Sequence, residues 1–325
     1  MVAAIVGVVV YVIVSSKPSA TVSPTTGDGA SKAMAALQAK PYILFRNTQQ
    51  GAEYGRIAAV PLGDSRAART TAPLLLDRVY GNSEGGLALR ANRGSLTTYE
   101  AISFDRNFQP THTFKLAGAP SRARVSPSGR FGASTVFVNG DSYNSGGFST
   151  RTTIYDLKRA EIVGELETFA IERDGQGWKK ADFNFWGVTF AHNDDTFYAT
   201  LLSGDVPYLI KGSISKKTAT VIHDHVECPS LSPDERRVAF KSRQIIQGRR
   251  VWLLKILDLK TGAETGTPET RNVDDQPEWI DDTHLAYSLP HSSGGGADIW
   301  SVETSAQAKP EMLIPDAYSP CVVRP

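Results

Sequence analysis

The chain has 325 residues, 41% of them hydrophobic, with 28 glycines, 18 prolines and three methionines, which is the profile of a turn-rich β-protein with a core of domain size. Its 35 basic residues nearly balance 34 acidic ones, so a net charge of +1 offers no long-range attraction to a polyanion and argues against nucleic-acid binding. With two cysteines, there is no cysteine cluster to hold a metal.

Residues 2–14 (VAAIVGVVVYVIV) form an unbroken apolar run that Ser15-Ser16-Lys17-Pro18 ends. As a helix it spans about 20 Å, short of the roughly 30 Å hydrocarbon layer. Residues 1–16 therefore suit a signal peptide, or a membrane anchor whose first residues lie upstream of Met1, and either reading puts the body of the protein outside the cytoplasm. Residues 17–40 begin as the polar stretch KPSATVSPTTGDGA and read as a flexible linker, with room for a short helix over residues 31–39.

From residue 41 onward the chain repeats. The clearest copy is Cys228-Pro229-Ser230-Leu231-Ser232-Pro233-Asp234-Glu235-Arg236-Arg237-Val238-Ala239-Phe240: an apolar strand, a Pro/Asp turn and an alternating strand. Positions equivalent to Pro233 fall at Asn82, Pro127, His192, Asp281 and Pro325, at intervals of 45, 65, 41, 48 and 44 residues. Such periods predict four-stranded propeller blades. Two polar insertions, Asn139 to Thr150 and Arg173 to Lys180, account for the long interval and are expected on surface loops. The last copy breaks off at Pro325, and its missing strands are found at Pro41 to Arg46 and Arg56 to Leu62. Residues 41–325 are accordingly expected to form an all-β, six-bladed β-propeller closed by pairing of C-terminal and N-terminal strands, with seven blades the rival count. Closure removes the edge strands an open ring would expose.

Cys228 to Phe240, Phe185-Trp186-Gly187-Val188-Thr189-Phe190-Ala191, Asp274-Asp275-Gln276-Pro277-Glu278-Trp279 and Ser319-Pro320-Cys321 together resemble the repeats of the TolB-like six-bladed propellers of the bacterial cell envelope. The resemblance covers about residues 41–325, is specific for fold and says little about function. TolB also carries a separate N-terminal α/β domain, whereas about 40 residues precede the first blade here, so a Tol-type translocation role is not the expectation.

Polar residues collect in the segments that lead into the inner strands: Asp77, Arg122, Arg124, Asp182, His223, Asp224, His225, Asp274, Asp275 and Asp316. In a propeller these connections ring the channel mouth, so they form the candidate binding rim, with ordinary turn chemistry as the plain alternative. His223 and His225 point the same way if extended and make the best metal candidate, but a site needs three or four convergent ligands and the solvated-loop reading is favoured. Gly81-Asn82-Ser83-Glu84-Gly85 matches GxSxG, yet it lies between two strands, whereas a nucleophile elbow leads into a helix. Cys228 and Cys321 are a disulfide candidate in an exported protein, although blades two apart are too distant, which favours two separate buried thiols. Trp186, Trp252, Trp279 and Trp300 recur at strand positions and are expected to pack between sheets. No catalytic or cofactor motif is present. The leading expectation is a monomeric, non-enzymatic scaffold that engages an envelope protein, peptide or polymer and meets the membrane through its N-terminal segment. A metal-dependent hydrolase or lactonase, or a sensory ectodomain, are the alternatives.

Overall fold

The computed structural model describes residues 34–140, 143, 147–305 and 307–325. Residues 1–16, expected as signal or anchor, lie outside them, and among the described residues no helix is long and apolar enough to cross a membrane.

The architecture is an all-β, six-bladed propeller with almost no helix. Numbered in chain order, the blades have inner strands Arg78–Asn82, Ala119–Val125, Asn184–Phe190, Glu227–Leu231, Glu278–Trp279 and Ala317–Val323. Five sheets have four antiparallel strands. The sixth blade joins both ends of the chain: Ala317–Val323 pairs with Tyr42–Asn47, in the register Tyr42↔Val323 to Asn47↔Ala317, and Arg56–Pro61 and Thr70–Leu75 complete it.

Strands in the middle of a blade are buried on both faces, so they read as continuous apolar runs. In Tyr42-Ile43-Leu44-Phe45 the period of two sends Tyr42 and Leu44 into the core shared with the first blade, beside Val79, Ala88 and Ile102, while Ile43 and Phe45 pack on Ala286, Ile299 and Ile314 of the fifth. Trp186, Trp252 and Trp279 are buried and Trp300 is half-buried, as inter-sheet packing requires. The indole N–H groups of Trp252 and Trp279 donate to Glu227 Oε1 (3.0 Å) and to the Ser230 carbonyl (2.9 Å).

The repeated Ser-Pro element is the turn from inner to second strand. Glu235 N–H donates to the Ser232 carbonyl (2.9 Å) and Gly129 N–H to that of Ser126 (2.9 Å), with φ of 57° and 72° at the two donors. Ser83 lies in the corresponding turn of the first blade, between strands Arg78–Asn82 and Gly85–Asn92. The chain enters every inner strand on one face of the ring, here the entry face, and these turns occupy the other.

Two features differ from the sequence expectations. Tyr143, inside the first insertion, is only 3% exposed: it stacks beside Phe137 and Trp186 and its hydroxyl meets Ser121 Oγ at 2.6 Å, because an aromatic ring has more to gain from an apolar seat than from solvent. The second insertion forms part of a hairpin, Ala170–Arg173 with Gln176–Trp178, that adds to the third blade by parallel pairing with Thr218–Asp224. The cysteines follow the favoured reading: both are free and buried in different cores, Cys228 with Trp186 and Trp252 and Cys321 with Leu44 and Ile57, and the disulfide alternative is not formed. A bulge at Gly187 (φ 65°) brings the third blade against the fourth so closely that a Cβ there would sit 2.7 Å from Cys228 Cα.

Candidate functional site

Side chains that alternate along the inner strands point into the channel, and they are polar. Arg78 and Tyr80, Arg122 and Arg124, and Gln276 and Glu278 are each two residues apart, the spacing that returns a strand to the same face.

At the entry end, Arg78 Nη1 meets Asp275 Oδ1 at 3.2 Å, linking the first blade to the segment that leads into the fifth. Arg122 Nη2 donates to the Asp274 carbonyl (3.1 Å) and lies 3.7 Å from its carboxylate, which also takes Lys241 Nζ at 2.5 Å. The Lys241 side chain is fully buried, with its ammonium 4.6 Å from the Trp252 ring and 5.0 Å from that of Tyr143. Burial alone would raise the Asp274 carboxyl, but Lys241 and Arg122 outweigh it and hold the group below the usual aspartate range.

One step deeper, Arg124 forms an ion pair with Glu278 across the ring, stacks 4.4 Å over Tyr80 and donates to Ser230 Oγ (2.9 Å) and the Pro277 carbonyl (2.8 Å). Glu278 also accepts from the Tyr80 hydroxyl (3.0 Å) and the Val322 N–H (3.1 Å). Five blades meet at this one carboxylate–guanidinium pair. Below it the channel widens into a funnel of about 470 Å³ that opens on the turn face, between His192, Asp282 and Arg324.

Of the expected rim, Arg122, Arg124, Asp274 and Asp275 converge in the channel, and the others do not join them. Asp77 accepts the Ala91 N–H (2.7 Å) and faces Arg93. Asp182 caps the turn at Ser203 and Gly204. His223 bonds the Asp224 carbonyl (2.8 Å) and lies 3.9 Å from Glu264 of the fourth blade's outer strand, while exposed His225 takes φ 56°, so the extended geometry that would aim both rings at one ion is lost. Among the described residues the one cluster with metal-ligating composition is His291, Asp298 and Asp316. Its Asp298 Oδ1 is already engaged by His291 Nε2 (2.9 Å) and the Asp316 N–H (2.8 Å), and the Arg69 guanidinium donates to the Asp316 carbonyl (2.9 Å). A divalent ion there would compete with a neighbouring cation. Lys241, Tyr80 and Glu278 were not anticipated as site residues. The signal for Tyr80 and Glu278 was the polar period of two inside otherwise apolar strands.

Fold and channel define the class of the molecule, a six-bladed β-propeller with a polar, ion-paired channel. No family model and no curated protein matches the sequence. Among solved structures, TolB from Acinetobacter baumannii is similar, with 15% identity, a TM-score of 0.56, and 90% of this chain matched to 71% of that one. A chain of the nidogen/laminin complex matches at 10% identity and TM-score 0.53, covering 87% of this chain and 98% of its own, and oligogalacturonate lyase in complex with manganese at 8% and 0.52, covering 78% and 73%. At these identities the likeness is one of fold.

Proposed function

We propose that the protein is an extracytoplasmic, non-enzymatic binding scaffold, tethered to the membrane or secreted, whose entry face engages a protein or peptide partner. One observation carries this reading: the ionisable groups gathered at the entry end of the channel are committed to ion pairs that tie one blade to another, Arg78–Asp275, Arg122–Asp274 and Lys241–Asp274. Groups held this way stiffen a platform and are poorly available as general acids, bases or nucleophiles. The TolB and nidogen/laminin propellers support a partner-binding role by fold alone.

The test is site-specific photo-crosslinking in the producing cells from exposed Gln50 on the entry face and exposed Glu84 on the turn face. A discrete adduct from position 50 with none from position 84 is expected, and equal labelling from both, or from neither, refutes the reading. A metal-dependent hydrolase rests on His291, Asp298 and Asp316, and elemental analysis decides it: stoichiometric metal that disappears in His291→Ala would favour the enzyme.

A further inference from the structure

Beside the channel mouth, on the same face, the sixth and first blades part to leave an open groove of about 480 Å³, inside the roughly 300–1,000 Å³ range of ligand pockets. Tyr54, Leu75 and Leu96 line it, with exposures of 37%, 48% and 80%. They are three of the nine large apolar side chains left exposed among the described residues, gathered at one place, and a gathering of this kind marks an interaction site where scattered single residues do not.

The groove is also positively charged. Arg46, Arg90 and Arg93 line it and Asp77 is its one acidic lining residue, with Glu100 just outside bound to Arg90 at 2.7 Å. Arg46 has no carboxylate partner among the described residues: its Nε donates to the Leu76 carbonyl (2.8 Å) and its guanidinium lies 5.0 Å over the Tyr54 ring. Arg93 is 72% exposed and reaches Asp77 only at 3.3 Å, while the other Asp77 oxygen is taken by the Ala91 N–H. Arg90 Nε is buried without any partner. The groove thus offers guanidinium donors around an apolar floor, which suits carboxylates flanking an aliphatic side chain.

We propose that this groove docks a short acidic peptide segment bearing leucine-like side chains, an assignment that rests on the entry face being the binding face. An acidic glycan would satisfy the arginines but leave Tyr54, Leu75 and Leu96 uncovered, and so fits less well.

Fluorescence anisotropy with a labelled Asp-Leu-Glu-Leu-Asp-Glu peptide tests it. The probes for comparison are its lysine-for-acid version, its serine-for-leucine version and an oligogalacturonate of equal charge. The full-length protein should prefer the acidic leucine peptide, and Arg93→Glu and Leu96→Ser, both at exposed positions, should each weaken it about tenfold or more with unchanged melting temperature. Equal binding of the lysine or serine version, equal binding of the oligogalacturonate, or indifference to both substitutions overturns the groove assignment. Those failures are separate from failure of the entry-face reading, which the adduct from position 50 judges.

Discussion

Replacing Glu278 with alanine is the most direct probe of how the ring is held. The Glu278 and Arg124 side chains are 6% and 5% exposed, so little solvent screening softens the loss. Removing the carboxylate strands a buried guanidinium and takes away the acceptor of the Tyr80 hydroxyl and the Val322 N–H. Breaking a buried ion pair from one side costs about 3–5 kcal/mol. At about 2 °C per kcal/mol, the lower end of the range for somewhat smaller domains and the end a larger one takes, the melting temperature should fall by roughly 6–10 °C. Thermal and urea unfolding followed by circular dichroism would measure it. The desolvation argument further requires that Arg124→Met combined with Glu278→Leu recover most of the loss, because the stranded charge is the main penalty. A Glu278→Ala protein within about 1 kcal/mol of the parent, or a double variant worse than the single, refutes the reasoning.

Three further outcomes follow from the channel and the closure. Asp274 is held below its ordinary value of 3.8, so its contribution to stability is complete above that value and fades as the pH falls through its lower folded value; acid titration should show an unfolding limb that flattens in Asp274→Asn. Burial pushes the Cys321 thiol up and both cysteines are free, so a thiol reagent should label neither in the native protein and two after denaturation without reductant, whereas a count of zero would reveal a disulfide. Deleting residues 319–325 removes most of the inner strand paired with Tyr42–Asn47, so the truncated chain should lose its cooperative melt, and an unchanged transition would show that this pairing contributes nothing.

The repeat made the blades legible because the inner-to-second-strand turns of the first five blades draw on the same Ser, Pro, Asn, Asp and Gly chemistry, which recurs in the sequence where the backbone recurs. The site was harder to read. Asp274, Asp275, Arg122 and Arg124 were visible as charges next to strands, but which of them meet depends on blades on opposite sides of the channel, separated in sequence by 152 to 154 residues. Lys241 was hidden because it sits on a second strand and reaches the channel only through its long side chain. His223 and His225 diverge for a local reason, a left-handed residue at a strand end that a polar sequence does not announce.

The meeting of Tyr42 with Val323 also settles how the molecule is best handled. Both ends of the ring emerge on the turn face, and Gln38, just ahead of that junction, bonds the Arg106 carbonyl in a loop on the same side. A sensor chip, bead or fusion partner attached just beyond Val323 is thus joined behind the propeller, and the arginine-lined groove is left looking into solution.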